Sequence, residues 1–418
     1  MNVKTIKFLD KWIGGIICKL LTMHDTFYKS LRLIGQHKEK KTEKLIFIKL
    51  IEQGATVIAY SSIVKATQMV GREHVYFLVF NENKPILELL DIIPIENIIT
   101  IRQDNILLFI SDLLSALRKI KRLKVDTTID MEFFSRASAI ISYLTFARKR
   151  IGFHRFTCEY PYRGDLMTHK VQYNPYIHTA IAYQLLVEAI DTNISITPMP
   201  KISLSDIKLN SPLFTASEID KKRVLGIIRN EFGDSTYSKI ILLNPNASDM
   251  LPIRKWDSGN FITLAHLLNG YYKEVLIILT GAPSEQASAE IIHKQINLPN
   301  AISLAGKTKL RDLFVLYTLS DLLVTNDSGP GHFSSVTNIN SLVLFGPETP
   351  TLFGPLGKNS HTIHTSLACS PCVNAFNHRF SPCNNNVCMQ SITPEIVFEK
   401  IKEILPLDTF SLLPNHAN

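Results

Sequence analysis

The chain has 418 residues, 45% hydrophobic and 20% charged, which is long enough for two globular domains and too apolar for a disordered polymer. Its 45 Lys+Arg against 37 Asp+Glu give a formal net charge of +8, which suits an anionic ligand or an anionic membrane surface, whereas no basic tract interleaved with aromatics points to nucleic acid. Six cysteines, four of them crowded between Cys369 and Cys388, do not make a secreted disulfide scaffold and favour a reducing compartment.

At the N-terminus, Leu9, Trp12, Ile13, Ile16, Ile17 and Leu20 fall on one helical face and Lys4, Lys7 and Lys11 on the other. The apolar run 12–21 is broken by Lys19 and is far shorter than the roughly 20 residues of a membrane span. It also lacks an obvious small-residue cleavage site. Two readings stay open: a helix lying on the inner membrane leaflet, or one docked on the protein's own surface. After a charged connector at 37–44, strands are predicted at 45–50, 75–80, 97–101 and 127–131. They alternate with helices at 56–70, 106–120 and 135–143, the pattern of a parallel, doubly wound sheet.

Residues 191–214 lose periodicity and carry Pro198, Pro200 and Pro212, so they read as a linker. A second series follows, with strands at 239–244, 274–280, 301–304 and 322–325 and helices at 257–269, 285–295 and 310–320. A helix at 394–404 is expected to pack across the hinge. The predicted organisation is therefore an N-terminal amphipathic extension (1–43), a first Rossmann-like domain (44–190), the linker, a second Rossmann-like domain with the cysteine cluster (215–392), and a C-terminal helix and tail (393–418).

The most informative stretch is Asn326-Asp327-Ser328-Gly329-Pro330-Gly331-His332, between the strand at 322–325 and the apolar run Ser341-Leu342-Val343-Leu344-Phe345. It reads as strand, glycine-rich turn, helix and strand, where an α/β sheet holds a phosphate-bearing ligand. Gly329 and Gly331 would let backbone amides approach the ligand. Ser328 and His332 offer donors, and Asp327 can accept from a sugar hydroxyl or merely cap the helix.

With the Phe345-Gly346-Pro347-Glu348-Thr349 turn, this segment resembles the donor-binding signature of glycosyltransferase family 9, the heptosyltransferase family. Further motifs stand in order over about 241–395. Asn244-Pro245-Asn246-Ala247-Ser248 with Arg254-Lys255-Trp256 is similar to the family's small-residue loop and basic-basic-Trp segment. The family's phosphate-binding lysine falls on Arg254, beside Lys255. Gly281 to Glu285 matches a glycine turn whose glutamate contacts the ribose in relatives, although a charge at a helix N-terminus is an ordinary alternative. Gly306-Lys307-Thr308 matches a loop lining the nucleotide. The resemblance implies the GT-B fold, two Rossmann-like domains facing a cleft, with the acceptor on the N-terminal half and the nucleotide-sugar on the C-terminal half. Cys369-Ser370-Pro371-Cys372, Cys383 and Cys388-Met389 are similar to the tail of many members. Structural zinc on these four thiols, reduced buried cysteines and a disulfide all stay open.

The first half departs from the family pattern. Members generally carry a catalytic aspartate after the glycine of the first turn, and Glu52-Gln53-Gly54-Ala55 has alanine in that place. Inverting transfer needs a group that takes the acceptor's proton, so Glu52 is the first candidate base, with Asp130 and Glu132 at the next cleft-facing strand end as the second. The basic run 148–155 is read either as a contact for a phosphorylated or acidic glycan or as a solvated surface. The aromatic-rich stretch 160–178 is read as a sugar-stacking loop or as core.

The sequence thus predicts a cytoplasmic glycosyltransferase, with a peripheral position on the inner face of the membrane open. It would move a heptose or other hexose-like sugar from a nucleoside diphosphate-sugar to lipopolysaccharide or another glycan or glycolipid acceptor, with no cofactor required. A sugar-nucleotide epimerase on the same scaffold and a catalytically inactive nucleotide-sugar binding protein are the alternatives.

Overall fold

The structure, a computed structural model, describes residues 10–31, 40–158, 162–192, 200–247, 251–377 and 379–407. It divides into two compact units: residues 1–212 with 374–380, and residues 213–373 with 381–418.

The first unit is built on a six-stranded parallel sheet. Its strands are β1 (Leu45–Ile48), β2 (Val75–Phe80), β3 (Ile98–Ile101), β4 (Thr127–Asp130), β5 (Lys149–His154) and β6 (His169–Gln172), in the order β3-β2-β1-β4-β5-β6. β1 and β2 are buried along their whole length, which explains their continuous apolar sequence in place of alternation. The helix expected at 56–70 is two helices, Gln53–Ile58 and Tyr60–Val70.

β5 and β6 went unrecognised in the sequence because their cations are internal. Lys149 and Arg150 are buried: Lys149 Nζ donates to Ile190 O at 2.6 Å and Arg150 Nε to Leu166 O at 2.7 Å. The basic run is therefore neither a solvated surface nor a free anion patch at these two positions. Of the aromatics nearby, Tyr173 is core, meeting Phe133 edge-on while Phe133 stacks on Phe153 and Tyr183, whereas Tyr176 is 84% exposed.

The second unit repeats the plan with β7 (Lys239–Asn244), β8 (Val275–Leu279), β9 (Ala301–Ser303), β10 (Leu322–Asn326), β11 (Asn340–Phe345) and β12 (Ser360–His364), in the order β12-β11-β10-β7-β8-β9, again all parallel. One face of this sheet packs on helix Ser258–Tyr271 through Phe261, Leu264 and Leu268, and helix Pro394–Ile404 joins the same core through Val397 and Ile401. In each sheet the chain winds outward in both directions from a central pair, β1/β4 or β7/β10. Loops leaving that pair diverge, and ligands of open α/β sheets sit in the crevice so formed at the carboxyl ends.

Candidate functional site

At the β7/β10 switch point, four loops are tied to one another. Asn326, the last residue of β10 and fully buried, donates from Nδ2 to Pro245 O at 3.0 Å and accepts from Trp256 N at 2.9 Å. Asn244 at the end of β7 donates to Thr280 O at 3.2 Å, and Gly306 N donates to Gly281 O at 3.0 Å. Trp256 is anchored by its own Nε1 donating to Ile392 O at 2.6 Å. The motifs separated by tens of residues in the sequence thus form one edge.

Arg254 is buried on that edge, its Nη1 lying 3.6 Å from Asp327 Oδ2 and 3.4 Å from Glu348 Oε2. Burial first, then the charge of Asp327, pushes the Glu348 carboxyl well above the usual carboxylate range, against the pull of Arg254. Burial therefore favours the neutral form of Glu348, whose carboxyl lies against Asp327 beside Arg254. Arg254 Nε, Asp327 Oδ2 and Asn246 Nδ2 are buried without a hydrogen-bond partner. Each such orphan costs about 1–3 kcal/mol, and three on one edge are what a polar ligand would satisfy.

Ser328 Oγ donates to Asn326 O at 3.1 Å. Gly329 opens a helix of only six residues, Gly329–Ser334, with half-buried His332 in its last turn. So short a helix gives little aligned dipole, which leaves Arg254 as the main charge. Gly331 has a packing reason beyond the amide access expected of it: a Cβ there would lie 3.0 Å from Val343 of β11. Glu285 turns its carboxylate onto Ala282 N at 2.7 Å at the start of its helix. Lys307 is ion-paired with Glu231 at 2.6 Å, with Thr308 half-buried beside it, and half-buried Lys255 follows Arg254. Ser248 lies outside the described residues. Glu348 and Asn326 are the residues that sequence reasoning passed over as site members, although both stood inside the quoted motifs.

Among the described residues no disulfide joins the four cysteines: Cys369 and Cys383 are exposed, Cys372 is half-buried and Cys388 is buried. Among the described residues no three His, Cys, Asp or Glu side chains are arranged to hold a metal ion, so the geometry gives structural zinc no support. Cys388 and Met389 pack instead over Gly346, where any side chain would collide with Met389 Sδ and come within 3.1 Å of Cys388 Sγ.

At the β1/β4 switch point, Glu132 accepts from Leu50 N at 2.7 Å, Ile51 N at 3.2 Å and Lys49 Nζ at 2.9 Å, so it holds the turn that carries Glu52. Asp130 is fully buried, accepting from Ser138 Oγ at 2.8 Å and Glu132 N at 3.0 Å, with Arg163 Nη1 at 3.8 Å. Burial, opposed by Arg163, pushes its carboxyl up to about 7. Glu52 sits at φ 72° and is paired with Arg379, with Lys49 Nζ at 3.5 Å, its side chain 25% exposed. A left-handed glutamate in a tight turn is a strained conformation that surroundings must hold. Ala55 is buried in the helix that follows.

A family model described as glycosyltransferase family 9 (heptosyltransferase) matches residues 113–379, well over half of the chain. The chain belongs to this family. Lipooligosaccharide heptosyltransferase 2 of Campylobacter jejuni is 34% identical over 169 residues, covering 40% of this chain and 51% of that one, so the chain spans about half the length of this curated relative. Two solved structures share the fold. The Escherichia coli ADP-heptose lps heptosyltransferase II superposes with a TM-score of 0.64 at 18% identity, over 86% of this chain and 98% of that one. A family 9 glycosyl transferase from Veillonella parvula gives 0.65 at 16% identity, over 88% and 98%. Two Rossmann-like units in one family 9 chain make this a GT-B protein.

Proposed function

We propose that the chain is a glycosyltransferase that moves a heptose from ADP-heptose to a lipopolysaccharide or lipooligosaccharide acceptor, with the donor held by the second unit and the acceptor by the first. The observation that carries this reading is the buried Arg254 between Asp327 and Glu348, on an edge with three unpartnered polar atoms. A diphosphate brought to Arg254 gives its unpaired Nε an acceptor, and the cation offsets charge that develops on the leaving phosphate. Asp327 Oδ2 and Asn246 Nδ2 offer an acceptor and a donor to sugar hydroxyls. Family membership and the names of the relatives support the sugar and the acceptor class.

Transfer proceeds as a displacement with inversion. The acceptor oxygen bonds to the anomeric carbon as the bond from that carbon to the phosphate oxygen breaks, ADP departs and the acceptor's proton passes to Glu52. Glu52 is favoured because Asp130 is enclosed and Glu132 is spent on backbone amides. A lipid-borne acceptor puts the chain at the inner face of the cytoplasmic membrane as a peripheral protein. Among the described residues no helix is long and apolar enough to cross a membrane.

The test is calorimetric titration with ADP-heptose, paired with mass-spectrometric detection of a heptosylated core glycan. Wild type binds and transfers, and Asp327→Ala weakens binding at least tenfold. Failure of wild type to bind any nucleoside diphosphate-sugar would sink the proposal, and binding without transfer to any glycan would leave a donor-binding protein in its place.

A further inference from the structure

The helix Gly15–Leu31 is docked on the first unit the wrong way round for a soluble protein. Its buried inner positions are small or polar, Gly14 just before it, then Cys18, Thr22 and Asp25, with half-buried Leu21 packed beside Cys18. Asp10 Oδ1 accepts from Ala137 N at 3.0 Å at the start of helix Arg136–Leu144, His24 Nδ1 meets Tyr143 Oη at 2.9 Å, and Asp25 Oδ1 lies 3.5 Å from Arg150 Nη2. Asp165 N donates to Thr22 Oγ1 at 2.8 Å. Gly164, at φ +71°, allows this approach, since a Cβ there would overlap Thr22 and come within 2.8 Å of Cys18 O. The fit is specific, and it turns the apolar face outward: Ile13 is 49% exposed, Ile16 62%, Leu20 60% and Met23 65%.

Charge says what this face meets. Residues 1–44 contain ten lysines and arginines against four aspartates and glutamates, a surplus of six in a chain whose whole surplus is eight. Two of the four acids, Asp10 and Asp25, are turned into the ion pairs of the docked face, while Lys19, Lys40 and Lys41 are exposed. An apolar stripe with a local cationic surplus matches an anionic bilayer, where the side chains enter the acyl boundary and the lysines meet lipid phosphates.

We infer that the outward apolar face of helix Gly15–Leu31 is a docking surface for an anionic lipid bilayer. The inference rests on one clause of the proposed function, the membrane location, and names the element and lipid chemistry that provide it. The helix lies in the membrane surface without spanning it, and the polar contacts of its inner face fix the first unit's orientation on the bilayer.

The 418-residue chain is sedimented with vesicles of phosphatidylglycerol and phosphatidylethanolamine, or of phosphatidylcholine alone. Wild type pellets with the anionic vesicles and at least tenfold less with the neutral ones. The combined variant Ile16→Ser, Leu20→Ser, Met23→Ser loses at least tenfold of the anionic binding. Lys19→Glu, Lys40→Glu, Lys41→Glu, which leaves the apolar stripe whole, loses it as well. Wild type remaining in the supernatant overturns the inference, as does undiminished pelleting of either variant. A wild-type dimer in light scattering that becomes monomeric in the serine variant assigns the face to a second copy and overturns it too. Transfer to a delipidated, soluble core glycan, measured on the same samples, reports separately on the enzymatic reading and is unchanged in both variants.

Discussion

At the switch point between β1 and β4, every carboxylate has a donor: Glu132 takes two backbone amides and Lys49, Asp130 takes Ser138 and an amide, and Glu52 takes Arg379. At the one between β7 and β10, with the same strand order, a cation sits between two carboxyls and three buried polar atoms stay unanswered. Carboxylates held this way are rigid, although Thr56 Oγ1 and Tyr183 Oη near them lack partners, while the open polar atoms around Arg254 are stabilised by whatever supplies the missing bonds. The first crevice therefore reads as a frame that presents one strained glutamate, and the second as a receptor for a polar, anionic molecule.

The comparison breaks first at Glu52. If the first unit supplies only the base, Glu52→Gln lowers kcat by about 10²–10⁴-fold and leaves ADP-heptose affinity within about twofold. Unchanged turnover would mean that the proton goes elsewhere. Arg254→Gln tests the other side: removing the charge-assisted contact weakens ADP-heptose by about 100-fold, near 2.7 kcal/mol. A thermal melt checks that the fold survives, since Asp327 then loses its partner. An equal loss of affinity in Glu52→Gln and Arg254→Gln would erase the division of labour between the two crevices.

The smallest effect concerns the frame itself. With its folded pKa raised to about 7 from 3.8, Asp130 binds its proton more tightly in the folded chain. Its contribution is fully present below about pH 4, falls as pH rises, and is gone above about 7. Between pH 5 and 7 the folded chain loses on the order of 2–3 kcal/mol from this group. Asp130→Asn flattens that slope in urea denaturation at pH 5, 6, 7 and 8, and an unchanged slope would show that Asp130 is not the group responsible.

Much of this was legible in the sequence because it is local. The strands at 75–80 and 239–244 announce themselves by apolar, β-branched runs, and Asp327, Arg254 and Gly281 by short motifs with a strand before them. What escaped depends on distant partners. Lys149 belongs inside a strand only because Ile190 O waits 41 residues on, and β6 is four residues with a histidine and a lysine. Glu348 becomes part of the site only when the order β11-β10-β7 brings its loop beside Arg254. The docked face of the N-terminal helix was equally hidden, since the periodicity separates apolar from polar without saying which side turns inward.

Asn326 deserves a designer's caution. One buried amide clasps the loop after β7, the segment leading to Trp256 and the end of its own strand. Attempts to retrain this protein for another nucleotide-sugar should leave that clasp alone and vary the residues it carries, Asn246 and Ser328 above all. Altering the clasp would release three loops together and scramble the old specificity without writing a new one.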